Sequence, residues 1–212
     1  MTISFGIWGA ALFFYLLFLA WHENWRGALK PDEIAAFTAR LEANDNLNDA
    51  MRATFIRFMQ DDTGDEFFMV NMVAHHKGKI ADPDTGAPVS AAALLNKYFR
   101  PFIGKLFRSA GYPAITGEVV GDYIDAWNTS ANPGWSGSGL IRYRSRRDLM
   151  LAATNASFAA GHRYKQLALA VTFAVPVEGQ IGFFMSPRIW IALLAMLASA
   201  FAQIAYLVCE IS

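Results

Sequence analysis

The chain has 212 residues, 54% of them hydrophobic, and balances 18 basic against 18 acidic side chains, so bulk charge gives it no grip on nucleic acid or another polyanion. Its one cysteine, Cys209, excludes an intrachain disulfide and a multi-cysteine zinc site. Every lysine and arginine lies between Arg26 and Arg188, with an uncharged apolar stretch outside that interval at each end.

The first stretch, residues 3–21, and the last, residues 189–209, each approach the ~20 residues that a helix needs to cross a bilayer. The first lacks the basic n-region and small-residue cleavage site of a signal peptide, so an uncleaved anchor is expected. Trp8, Trp21, Trp25, Trp190 and Tyr206 lie towards the ends of these stretches, where aromatic rings favour the interface. Arg26 and Lys30 follow the first span and Arg188 precedes the second. Basic residues beside a span favour the cytoplasm, so the expected protein is a two-pass inner-membrane one with its central domain cytoplasmic and both termini outside. Membrane lipid is therefore an expected partner.

Pro31-Asp32-Glu33 reads as a helix start, followed by Ile34, Phe37 and Leu41 on one face. A second amphipathic helix from about Asn46 carries Leu47, Met51, Phe55, Phe58 and Met59, and stops at the turn-forming 61–65 run. The period then changes to two. Residues 67–74 read as an apolar strand interrupted by Asn71, closed by His75-His76, and residues 82–88 as a loop. A helix over 91–110 is expected to kink at Pro101 and stop at Gly111. Further strands are predicted over 114–123, 138–144 and 168–177, with a helical stretch from Arg146 interrupted near Asn155 and Gly161. The predicted organisation is a transmembrane helix over 1–22, a helical linker or cap over 23–65, an α+β domain over 66–180 and a second transmembrane helix over 187–212. Strand, helix, strand, strand, helix, strand is the ferredoxin-like order.

Phe68-Met69-Val70-Asn71, the Tyr98-Phe99-Arg100-Pro101 helix ending in Ala110-Gly111, and Arg142-Tyr143-Arg144-Ser145-Arg146 resemble the dimeric α+β barrel superfamily. The likeness is to its uncharacterised domain-of-unknown-function branch, in which a Phe-Pro-Ser style segment leads into the second helix. Tyr143-Arg144-Ser145 stands in that place, with Arg144 where the proline would be. The resemblance covers about residues 66–178. It implies a homodimer in which the sheet of one copy packs on the sheet of another. In haem-degrading and cofactor-independent monooxygenases of that superfamily a strand-one asparagine lines the pocket, together with a histidine on the second helical segment and a tryptophan three turns ahead of it. Asn71 and His162 match two of these places and are the catalytic candidates. Ala152 and Ala153 occupy the region of the tryptophan.

Tyr98, Tyr123, Tyr143 and Trp127 could stack on a flat ligand, and Arg142 and Arg144 share one strand face that, with Arg146, Arg147, Arg163 and Lys165 nearby, could hold an anion or lipid headgroups; Asn71, Tyr98, Tyr123, Trp127, Arg142 and Arg144 form the candidate ligand set. His75 and His76 are metal candidates, although neighbours on a strand point to opposite faces. A strip of small residues, Ala192, Ala195, Ser199 and Ala202, marks one side of the second span as a packing surface. Neither a reaction nor a cofactor follows from these residues alone. The leading expectation is an interaction, assembly or accessory module of a membrane complex. The alternative is a membrane-tethered monooxygenase-like enzyme or a binder of haem or an aromatic or quinone-like molecule.

Overall fold

The computed structural model describes residues 2–45, 47–179 and 186–211, and divides into two compact units. Unit 1 comprises the terminal segments Met1–Trp25 and Gly179–Ser212. Its helices α1 (Thr2–His22) and α7 (Pro187–Ile211) both have a mean hydropathy of 2.1, and each is long and apolar enough to cross a membrane. They pack on one another, and Glu23 after α1 accepts from Arg188 in the first turn of α7 at 2.6 and 2.9 Å. Ser199 is buried and Ala192 and Ala195 are half-buried, whereas Ala202 is exposed and Gln203 takes the next inward place.

Unit 2, Arg26–Glu178, holds the rest. Helices α2 (Pro31–Glu42) and α3 (Asp49–Gln60) precede strand β1 (Phe67–His75). A small hairpin, β2 (Lys79–Ala81) and β3 (Pro88–Ser90), leads into α4 (Ala91–Arg108). Then come β4 (Tyr112–Glu118), β5 (Gly137–Tyr143), α5 (Arg146–Ala153), α6 (Ala156–Ala168) and β6 (Leu169–Val177). The four long strands lie in the order β4-β5-β1-β6, all neighbours antiparallel, which is the ferredoxin-like arrangement.

The expected α+β barrel is corrected by that order. The sheet is open, with β4 and β6 at opposite margins and unpaired on their outer sides among the described residues. Among the described residues no ladder joins β4 to β6, so the sheet does not close on itself. The dimeric-barrel resemblance is overturned with it; what stands is an open ferredoxin-like sheet.

Alternation along the strands sends Phe67, Met69 and Val73 of β1, with Ile141 and Tyr143 of β5, towards the helices, where they meet Leu94, Tyr98 and Phe102. Phe67 stacks on Tyr143 at 5.3 Å. The other face carries Phe68, Val70 and Met72 beside Val175 and Phe173 of β6, and both of these β6 side chains are exposed. A second cluster, Leu29, Phe37, Leu41, Met59 and Met150, seats α2 and α3 against α5.

Several boundaries differ from expectation for local reasons. The strand expected over 114–123 ends at Glu118, because Asp122 Oδ1 accepts from Tyr123 N and Asn132 Nδ2 and turns the chain. The β2–β3 hairpin occupies the expected 82–88 loop and its flanks. Helix α6 continues through Gly161. At the end of α4, Ala110 rather than Gly111 adopts the left-handed conformation, with φ 55°. Its N–H bonds Phe107 O while Gly111 N bonds Leu106 O, the paired bonds of a Schellman stop. Gly111 is needed for clearance instead, since a Cβ there would lie 2.9 Å from Arg142 O. Gly64 has φ +87°, and a Cβ would sit 2.6 Å from Ala28 N, so two backbone segments cross there with no room for a side chain.

Candidate functional site

Beneath α4 and α6 the helix-facing side of the sheet gathers two buried phenols and two half-buried basic groups. Tyr98 of α4 is buried, stacks on Phe102 at 5.7 Å and meets the His162 ring edge-on at 6.2 Å. Lys165, one turn beyond His162 on α6, places Nζ 5.8 Å from the centre of the Tyr98 ring. Burial raises the Tyr98 phenol far above its ordinary range, and burial and then Tyr98 do the same to Tyr143. Burial also pulls Lys165 down; His162 is lowered by burial first and by the Lys165 charge second. An amine with weakened proton affinity beside a neutral imidazole and two protonated phenols can accept a proton or hold an acidic or carbonyl group.

Asn71 lies on the same side of β1, between Gly139 of β5 and Ala174 of β6. Both neighbours are small, and Asn71 Nδ2 donates to Met69 O at 2.9 Å. The structure thus brings Tyr98 and His162 together with Tyr143, another of the stacking candidates, and with Lys165, which the sequence grouped with the arginines instead. Helical spacing puts His162 and Lys165 at i and i+3, and that was the available signal.

The other candidate residues lie elsewhere. Tyr123 and Trp127 belong to the long connection between β4 and β5, beyond the opposite end of β5 from Tyr143, and a seven-residue strand separates those ends by roughly 20 Å. Trp127 is 82% exposed and Ile124 fully so. Tyr123 accepts from Trp135 Nε1 at 2.9 Å, and Trp135 meets Phe173 edge-on at 5.3 Å. His75 follows a bulge at the end of β1 and donates its N–H to Ser136 Oγ, while His76 N bonds Ala168 O. Among the described residues no group of three or more metal-ligating side chains forms.

The arginines are committed to internal partners. Arg142 is 1% exposed; Nε and Nη2 bind Glu66, Nη1 donates to Ala110 O at 2.5 Å, and the guanidinium lies over Tyr112. Arg144 forks onto Asp148 at 2.9 and 2.9 Å, and Asp148 also accepts from Ser145, which caps α5. Arg146 reaches Phe58 O and Glu178. Arg147 is 3% exposed and binds Glu33 twice at 2.8 Å together with the carbonyls of Gly27 and Ala28. Adjacent arginines therefore hold the two ends of unit 2, one clamping its first residues and the other its last. On the far side, Lys97 binds Asp82 and Asp84 at 2.6 and 2.8 Å, and Arg163 and Tyr164 also meet Asp84, fastening the β2–β3 hairpin to α4 and α6.

No protein-family model matches the chain, and no curated protein does. Among solved structures, the methylated RPA0582 protein aligns at a TM-score of 0.52 with 17% identity over 62% of this chain and 93% of that one. The RPA0582 protein of unknown function from Rhodopseudomonas palustris gives 0.51 and 15% over 61% and 94%. A dimeric protein of unknown function with a ferredoxin-like fold from Bacteroides fragilis aligns at 0.34 with 13% identity over 56% and 99%, too low to bear on architecture or assembly. At these identities the likeness to the first two is one of fold alone, and it supports an α+β fold for the part of the chain that aligns.

Proposed function

We propose that this chain is a two-span membrane protein whose central unit is an interaction and assembly module, joining either copies of itself or other subunits of a membrane complex. The observation that carries this reading is the bare sheet face. Ile115, Val171, Phe173, Val175 and Val177 are all exposed on one side of the sheet. A contiguous apolar surface of this kind on a folded unit marks a contact with another molecule. The buried arginines point the same way, because guanidinium groups spent on internal carboxylates and carbonyls are not offered to an anionic ligand. Arg26, Lys30 and Arg188 beside the apolar helices support a cytoplasmic central unit with both termini outside, lipid being the partner of α1 and α7. Native mass spectrometry of the gently solubilised full chain tests this: an assembly is expected, and a lone monomer at every concentration would refute it.

A second reading rests on the cluster under α4 and α6. Asn71, Tyr98, His162 and Lys165 would hold a small aromatic or quinone-like molecule delivered from the bilayer, with Lys165 or His162 managing a proton. It predicts a retained organic mass in the same spectrum, lost in an Asn71→Ala/His162→Ala variant.

A further inference from the structure

The two margins of the sheet are built differently. β4 carries Pro113, a bulge between Pro113 and Ile115, Gly117 and Glu118, the devices with which sheets discourage strand addition. β6 has none of these over most of its length. No charged residue occurs between Lys165 and Glu178, and every residue from Ala170 to Val177 is exposed. Its irregularities lie near its two ends, at Ala170, left over where the register shifts opposite Ala74 and His75, and at Pro176.

Which β6 backbone groups face outward follows from two observations. Val73 O accepts from Ser136 on the β5 side, so Thr172, the β6 residue opposite Val73, does not bond it. Pro176, with no N–H to give, shares that parity and is tolerated only where its nitrogen faces away from β1. Thr172 and Ala174 therefore direct their N–H and C=O groups to the free edge, while Val171, Phe173 and Val175 bond β1 and raise their side chains on the bare face.

The sequence along that edge reads Val171-Thr172-Phe173-Ala174-Val175, nearly the same in both directions. An antiparallel pairing with a second copy, centred on Phe173, sets Val171 against Val175 and Thr172 against Ala174. Phe173 then faces its own twin in a non-hydrogen-bonded place, where cross-strand side chains come closest. We infer that β6 is a homotypic edge, through which two copies of this chain join their sheets about a two-fold axis at Phe173. A symmetric interface needs a patch that complements itself, and this segment does. The Thr172 and Ala174 places supply reciprocal bonds in both halves, giving roughly four interchain backbone bonds. Trp135, already edge-on to Phe173, extends the aromatic contact on each side of the axis.

This inference rests on the assembly reading and names its partner and surface. Its test uses the full chain in native membranes on a Cys209→Ser background, with mild oxidation and non-reducing gels. Phe173→Cys should yield several-fold more disulfide dimer than Val171→Cys or Val175→Cys alone, because a non-hydrogen-bonded pair brings Cα atoms to about 4.5 Å, within disulfide range. Val171→Cys and Val175→Cys coexpressed should cross-link as a mixed pair. Ala174→Pro, which removes an outward N–H only, should shift the solubilised species from dimer to monomer at unchanged helix content. Cross-links from Phe68→Cys or Val70→Cys that exceed those from Phe173→Cys would overturn the edge while leaving self-assembly standing. A complex with one copy of this chain and other subunits would overturn the homotypic pairing but keep the assembly reading. A monomer throughout would end both.

Discussion

Replacing Arg147 by alanine should loosen α2 and α3 from the rest of unit 2. The guanidinium is 3% exposed and makes two 2.8 Å bonds to Glu33, with further bonds of 3.1 and 3.0 Å to Gly27 O and Ala28 O. Removing one partner of a buried ion pair costs about 3–5 kcal/mol. Glu33 would still accept from Arg26 at 2.7 Å and from Lys30 N at 3.1 Å, and water can reach the exposed Gly27 carbonyl. The lower end of that range, about 3 kcal/mol, is therefore expected. At 1.36 kcal/mol per tenfold, protection of amides 29–60 against hydrogen exchange should fall by about a hundredfold. The assay is exchange mass spectrometry of the full chain in detergent, with Arg144→Ala as comparison. Arg144 forks onto Asp148 within four residues and is partly exposed, so its loss should cost about 1 kcal/mol or less. Glu33→Ala/Arg147→Ala should cost less than the sum of the single changes. If Arg147→Ala left exchange over 29–60 within a few-fold of wild type, the clamp would be a packing coincidence and this reasoning would fail.

Gly64→Ala should destabilise unit 2 by about 2–3 kcal/mol, since the left-handed backbone and the 2.6 Å approach of Ala28 N both oppose a Cβ, and a lowered denaturation midpoint would report it. Arg147 hydrogen bonds hold the Glu33 carboxyl at about 2 against an ordinary 4.5. A lowered acid contributes stability above its unfolded pKa and loses it as pH falls through the folded one, so protection of α2 should decline from about pH 4.5 towards pH 2, and Glu33→Gln should flatten that decline. Lys165 runs the opposite way in charge but not in slope: its folded pKa is depressed, so the unfolded chain binds the extra proton and stability should rise with pH up to about 10.4. Lys165→Met should remove that rise and match or exceed wild-type stability at pH 7 by thermal unfolding; a melt that instead drops sharply would mean the amine holds a partner.

Much of the architecture was legible in one dimension because it depends on local periodicity. The apolar runs at each end, the change to period two at Phe67 and the strand-helix alternation gave the ferredoxin-like order, and Pro31 and Ser90 mark helix starts where the structure has them. The candidate pocket was legible only in part. Asn71 stood out as the sole polar residue in an apolar strand and His162 through the resemblance, whereas Lys165 looked like a surface base until α6 turned it against Tyr98. Arg142 and Arg144 share a strand face in the sequence pattern, yet the fold gives them Glu66, 76 residues away, and Asp148.

What the sequence determined by itself is whatever neighbours along the chain decide: helix and strand periods, two membrane-length apolar helices, the turn at 61–65 and the succession of strands and helices. What only tertiary structure decided is which charges are spent and which surfaces stay bare. A guanidinium carries the same charge whether solvated or buried, and its partners come from segments brought together by packing. Whether a sheet closes depends on its outer hydrogen bonds, and here the fold leaves β6 open.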